Sequence, residues 1–410
     1  MSARGPARVL IAGGGVAGME ALLAVRDLAG ERAEITLLDA ETDFVYKPLL
    51  VEEPFGLDLA EQHALEPAAA ELGARFGQGA LARVRPEDHQ ADLADGGSVA
   101  YDYLVVCLGG RSVPAYRGVT SFPDRRNPLD AQRLLGRAHA RGDDRIDFVV
   151  PPGVTWALPL YELALMTERY AREQNYEGLA IEIVTPEARP LAVFGSVASA
   201  AVAEMLEARG IGFTPGTRVH EEDGELVLSP GDRRLEPAEV VALAAMEGPA
   251  IEGLPSDPDG FIRIDERCRV PGLDDVYAAG DGTIFPVKQG GIATQQADAA
   301  ALDIAHRLGA AVEPEPFRPT LRGKLLTGGA SLHMRTALGG GEGEGEASLD
   351  TLWWPPHKIS GRYLAPWLYN EEGPGEPIPP EHALDVEVAL PQEWHLEPMA
   401  IDVDGTPPVD

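Results

Sequence analysis

The chain has 410 residues, enough for two or three domains at ~150 residues each. Hydrophobic residues make up 44% and charged residues 24%, which excludes wholesale disorder, while a formal charge of −32 disfavours nucleic acid and bare anionic lipid as partners. Two cysteines, Cys107 and Cys268, exclude a disulfide framework and a cysteine-rich metal cluster, and no apolar run is long enough to span a membrane.

The N-terminal stretch MSARGPARVLIAGGGVAGMEALLAV is interrupted by three glycines and Glu20, so it reads as strand, turn and helix rather than as a signal peptide. A cytoplasmic protein is therefore expected. Residues 8–12 form a buried strand, 16–28 a helix and 35–39 a second strand, which is a βαβ unit. An Ala-rich helix is expected over 59–72 and short strands over 79–100, and YLVVCL at 103–108 reads as another buried strand. A second α/β region begins at 146, with strands at 146–150, 180–185, 224–228 and 239–244 and helices at 159–174 and 196–209. VYAAGD at 276–281 is a strand ending in Gly-Asp, and a helix runs over 291–308. Beyond it come a glycine-glutamate loop at 339–346 and an aromatic, amphipathic block at 352–369. The tail, 371–410, holds eleven acidic residues, eight prolines and no Lys or Arg, so it should be irregular, with one strand at DVEVAL. Cys268 is expected on a surface turn and Cys107 in the core.

Gly13-x-Gly15-x-x-Gly18, with Gly14 and Ala17 inside it, follows a strand and opens a helix, and Asp39 closes the next strand. Gly13 permits the tight turn, Gly15 lets backbone approach a pyrophosphate, and Gly18 lets helix pack on strand. The pyrophosphate gains the helix N-terminal amides. Asp39 can accept from ribose hydroxyls and would repel a 2′-phosphate, so an unphosphorylated ADP moiety is expected.

This turn alone does not separate FAD from NAD. The remote VYAAGD segment resembles the pyridine nucleotide–disulfide oxidoreductase flavoproteins, in which such an Ala-Gly-Asp binds FAD. The resemblance therefore puts Gly280 and Asp281 on FAD. YDYLVVCLGG is similar to the family strand ending Ala-Thr-Gly; Cys107-Leu108 replaces Ala-Thr, and Gly109 is kept. The nearest branch resembles sulfide:quinone oxidoreductase and type II NADH dehydrogenase, through FVYKPLL at 44–50, VTPEARPLAVFG at 184–195 and VKQGGIATQQADA at 287–299. That likeness puts Lys47 near the flavin and turns a helix N-terminus at Gly291-Ile292, with Lys288 beside it, toward the flavin ring. Positive charge there would stabilise the reduced ring. Otherwise Lys288 is a solvated loop lysine.

The turn that would hold a second nucleotide, VVPPGVTWALPLYE at 149–162, lacks GxGxxG. Pro151 and Pro152 have no N–H, so tight NAD(P)H binding is not expected, although Glu187 could still meet a ribose. The cysteine expected near Trp156 for sulfide chemistry is missing too, so the resemblance carries over the cofactor but not the donor. Glu162, after the Pro-Pro-Gly turn, is a candidate acid/base group or else a helix N-terminal carboxylate. Lys47 and Lys288 fall inside motifs, whereas Lys324 and Lys358, the other two of only four lysines, read as incidental. The dispersed histidines offer no metal site.

The expected architecture is α/β with two Rossmann-like domains and an irregular C-terminal region. Residues 1–145 and 270–320 form an FAD-binding domain, 146–269 a degenerate second domain, 321–370 a cap and 371–410 a tail. The expected function is an FAD-dependent oxidoreductase taking electrons from a small donor to an acceptor, with a quinone suggested by the resemblance. The alternative is a flavin-binding sensor without efficient turnover. The resemblance implies that the aromatic block caps the quinone side of the flavin, with Lys358 and Arg362 lining its mouth; otherwise the block covers the FAD domain or a homodimer interface, and membrane contact through 352–369 is at most peripheral, since the acidic tail is repelled by an anionic leaflet.

Overall fold

A computed structural model describes residues 5–57, 62–124, 126–142, 144–235, 239–338 and 345–371. The tail strand expected at DVEVAL, the start of the helix expected at 59–72 and most of the glycine-glutamate loop lie outside these residues. The first elements are β1 (Ala7–Ala12), α1 (Val16–Ala29), β2 (Ala33–Asp39), β3 (Arg75–Gln78) and β4 (Tyr103–Val106). They are followed by β5 (Thr120–Phe122), α2 (Ala131–Arg141), β6 (Arg145–Val149), α3 (Leu158–Glu173), β7 (Ala180–Val184), α4 (Ser196–Ala208), β8 (Gly212–Thr214) and β9 (Glu239–Leu243). The chain then forms β10 (Val276–Ala278), α5 (Gly290–Arg307), β11 (Thr320–Leu325), β12 (Leu332–Ala337), β13 (Glu346–Ser348) and α6 (Leu364–Glu371).

Two five-stranded parallel sheets organise the molecule, in the orders β10-β4-β1-β2-β3 and β5-β9-β6-β7-β8. Their strands are apolar runs without alternation because helices or a second layer cover both faces. On one face of the first sheet lie α1 and α5, whose alanines Ala17, Ala21, Ala24, Ala297, Ala300 and Ala301 are buried in one core. The other face packs on short antiparallel strands at Leu81–Arg85, Gln90–Leu93 and Ser98–Ala100, with Ile251, Leu254 and Ile262 in the same core. The two Rossmann-like units are therefore as expected.

Three local expectations are corrected. Strand β5 pairs in parallel with β9, so residues 120–141 belong with the second sheet although they precede residue 146. A three-residue strand, Thr-Ser-Phe, carries too little periodicity to be recognised alone. The C-terminal region contains an antiparallel sheet, β11-β12-β13, whose inner face joins the core of the second sheet. Cys268 is fully buried rather than on a surface turn, and burial pushes its thiol well up, as it pushes that of Cys107 up to about 12.

The aromatic block packs against the first domain: Leu364 and Leu368 are buried there, with Tyr363 and Trp367 against them. Glu20, fully buried on α1, accepts hydrogen bonds from the N–H groups of Tyr363 (2.9 Å) and Leu364 (2.6 Å) and so caps α6. Among the described residues no helix is long and apolar enough to cross a membrane.

Candidate functional site

The carboxyl ends of β1, β2, β4 and β10 open into one cleft of about 1030 Å³, at the point where strand order reverses about β1. Gly13 follows β1 with φ +111°, and a Cβ there would lie 2.3 Å from the Cys107 carbonyl oxygen, so the turn admits only glycine. Gly18 packs likewise against the Gly13 carbonyl. A Cβ on Gly15 would meet no atom within 4 Å, yet Gly15 lines the cleft at the start of α1. That open space beside helix N-terminal amides is what a pyrophosphate needs. Asp39 accepts from the Gly14 N–H and from the Glu41 N–H at 2.8 Å, which holds its carboxylate at the cleft edge.

Gly280 abuts Ala17, and this brings Asp281 to the same opening as the glycine turn. Burial raises the Asp281 carboxyl, while Lys288 and then Lys47 pull it back down. Gly14, Ala17, Lys47, Gly109, Gly280, Asp281 and Lys288 all line the cleft. Gly291 and Ile292 do not: the wall at that helix end is Gly290 and Ala293, and Ile292 is buried in the second core. Helix periodicity explains the offset, since Gly290 and Ala293 are three apart and share one face, while Gln289, also in the wall, caps α5 through Oε1 by accepting the Ile292 N–H at 2.8 Å. Lys288 donates to the Thr283 carbonyl and lies 3.7 Å from the Phe261 ring centre. It is thus a fixed wall group, not a solvated one. Burial draws its ammonium down to about 8 against the opposing pull of Asp281.

The opposite wall comes from the loop after β6, including Pro152, Gly153 and Trp156, and from Gly323, Lys324, Lys358 and Ile359. All four lysines of the chain line this cleft, and among the described residues no arginine does. Lys324 and Lys358 are therefore not incidental. Their rarity was a usable signal, and it applied to all four alike. Lys358 bonds Glu162 Oε2 at 2.6 Å and the Pro48 carbonyl at 2.9 Å. Glu162 is fully buried behind it and also accepts the Leu326 N–H. Burial pushes the Glu162 carboxyl up to about 7, although Lys358 lowers it. A second cavity of about 510 Å³, lined by Tyr46, Leu49, Leu326 and His357, shares Lys324 and Lys358 with the cleft as its partition.

In the second domain Glu187 points inward. Its Oε2 accepts from the Tyr161 hydroxyl (2.6 Å) and the Thr185 hydroxyl (3.1 Å), and burial raises its carboxyl. The ribose role considered for Glu187 is thus taken up by internal partners.

A model of the pyridine nucleotide-disulphide oxidoreductase family matches residues 7–301, and the chain belongs to that family. Within it, the protein is an FAD-dependent oxidoreductase, and the open cradle at Gly15 with Asp39 and Asp281 at its edge fits the cofactor. Its fold is similar to that of the sulfide:quinone oxidoreductase of Aquifex aeolicus, with a TM-score of 0.72, 18% identity, and coverage of 80% of this chain and 83% of that one. A ferredoxin reductase of Rhodopseudomonas palustris gives 0.58, 20%, 80% and 81% for the same quantities. NDH2 of Plasmodium falciparum gives 0.55, 16%, 68% and 64%. At these identities the likeness is one of fold.

Proposed function

We propose that the chain passes electrons from a small donor other than NAD(P)H, through its FAD, to an acceptor of the quinone class. The observation that carries this reading is the partition: Lys358 and Lys324 separate the cofactor cleft from a second cavity, whose walls mix Leu49 and Leu326 with Glu52, Thr327 and Ser331. When bound, FAD supplies the two-electron chemistry, so no protein nucleophile is required. Gly13, Gly14, Gly15 and the α1 N-terminus would hold the pyrophosphate, Asp39 the adenosine ribose, and Asp281 the chain next to the ring. Lys288 and the Gly290 end of α5 supply positive potential that favours added electron density there. Reducing a quinone also takes up protons. Glu162 accepts from the Lys358 ammonium through Oε2 at the partition, and with its carboxyl near neutrality it can take up and release a proton one residue away from both spaces. The Aquifex neighbour is named for sulfide and quinone, which supports this acceptor class. Pro151-Pro152 and the inward Glu187 argue against a nicotinamide donor. A cytoplasmic setting and a homodimer belong to the same reading.

The test is anaerobic stopped-flow on FAD-reconstituted protein at the flavin band near ~450 nm. NADH and NADPH should leave the band intact, while sulfide or another small reductant bleaches it and a quinone restores it. Rapid bleaching by NADH would overturn the donor assignment. Failure of every donor would favour the sensor alternative.

A further inference from the structure

The outer face of the C-terminal sheet is built for a negative ligand. On β11, Leu321 and Leu325 are buried in the second core, and a Cβ on Gly323 would meet Phe194 and Leu158. Strand alternation turns Arg322 and Lys324 to the other face. On β12, Leu332 and Met334 enter the same core, while the register sets Arg335 opposite Arg322 and His333 opposite Lys324. Four basic side chains thus share one small face in a chain of net charge −32. A strap crosses this face. The rings of Trp353 and His333 are 5.1 Å apart, edge on, and Lys324 donates to the Pro356 carbonyl at 3.0 Å.

Arg335 has its own carboxylate, Glu346 on β13 at 2.6 Å. Arg322 and His333 have none. Arg322 is 8% exposed, and no side-chain hydrogen bond or ion pair joins it to a described residue. Burial, and then Arg335, draw its guanidinium down to about 10. His333 is 6% exposed, and neither ring nitrogen has a hydrogen-bond partner among the described residues. Burial and then Lys324 lower its pKa. A buried imidazole without a partner is costly, and the register sets Arg322 diagonal to it with guanidinium nitrogens that are not sealed from solvent; a fork-shaped donor so placed suits a tetrahedral oxyanion.

We infer that this face is a binding site for a small inorganic oxyanion of the phosphate or sulfate class, held between Arg322 and His333 beneath Trp353. A free ion suits it better than a phosphate on a larger molecule, because the strap covers the face.

The test uses the full chain loaded with FAD, so that the pyrophosphate cradle is filled. Thermal melts in sodium phosphate or sulfate are compared with sodium chloride at equal ionic strength. The oxyanions should raise Tm by a few degrees in a saturating manner, and equilibrium dialysis with labelled phosphate should find one ion per chain. Arg322→Met should abolish the saturable rise, and Arg322→Lys should keep part of it. Sulfate stabilises proteins generally, so a rise retained in full by Arg322→Met overturns the site. So does an equal rise in chloride, or no bound phosphate. AMP should have no effect, and a rise equal to that of phosphate overturns the free-ion assignment. If Arg322→Met fails to fold, His333→Phe must lose the rise instead, and its retention overturns the site.

Discussion

Replacing Lys358 by Met removes the ammonium 2.6 Å from Glu162 Oε2 and leaves that buried carboxyl with the Leu326 N–H. In the native protein the Glu162 pKa rises on folding from 4.5 to about 7. Its favourable contribution is therefore complete below pH 4.5 and lost as the pH climbs through 7, a loss of roughly 3 kcal/mol. Without Lys358, the carboxyl loses its two largest acidifying influences and its folded pKa moves higher still. Above pH 7 the native protein has no more to lose at this site, whereas the variant continues to lose about 1.4 kcal/mol per pH unit. The gap between the two proteins should widen by about 2 kcal/mol between pH 7 and pH 8.5, toward the ~3–5 kcal/mol typical of a broken buried pair. Urea unfolding of FAD-loaded protein at pH 6, 7 and 8.5 measures this directly. Adding Glu162→Gln to the Lys358→Met background should abolish the widening, since nothing is left to ionise. A gap that stays constant or narrows with rising pH would refute the assignment of the buried charge to Glu162.

Gly15→Ala should fold normally, because its Cβ meets no protein atom, but should bind FAD at least ~10-fold more weakly. FAD titration together with the melting temperature of the cofactor-free protein checks this, and undiminished affinity would move the pyrophosphate elsewhere. Lys288→Met should lower the two-electron midpoint potential by about 20–40 mV, the equivalent of one wall charge worth 1–2 kcal/mol. A dye-equilibration titration reads this shift, and an unchanged potential would return Lys288 to a purely structural role.

What could be read along the chain was what short-range rules govern. The strand–glycine–helix signature, the acidic residue closing β2 and the apolar runs of the parallel strands all depend on contacts within about thirty residues, and they appear where expected. The cleft needed more. Asp281 meets the glycine turn only because β10 pairs with β4 at the end of the first sheet. Glu162 meets Lys358 across 196 positions, and Glu20 caps a helix that begins more than three hundred residues later. Gln289 caps α5 with its side chain and stands with Gly290 and Ala293 in the cleft wall, a position that depends on where the helix begins. The basic face of the C-terminal sheet likewise arises from cross-strand register, which brings together residues with no shared periodicity. Local preference chooses helix, strand and turn from near neighbours, whereas the pairing of distant charges is decided when whole layers pack, and only that packing determines which carboxyl loses water and which imidazole is left without a partner.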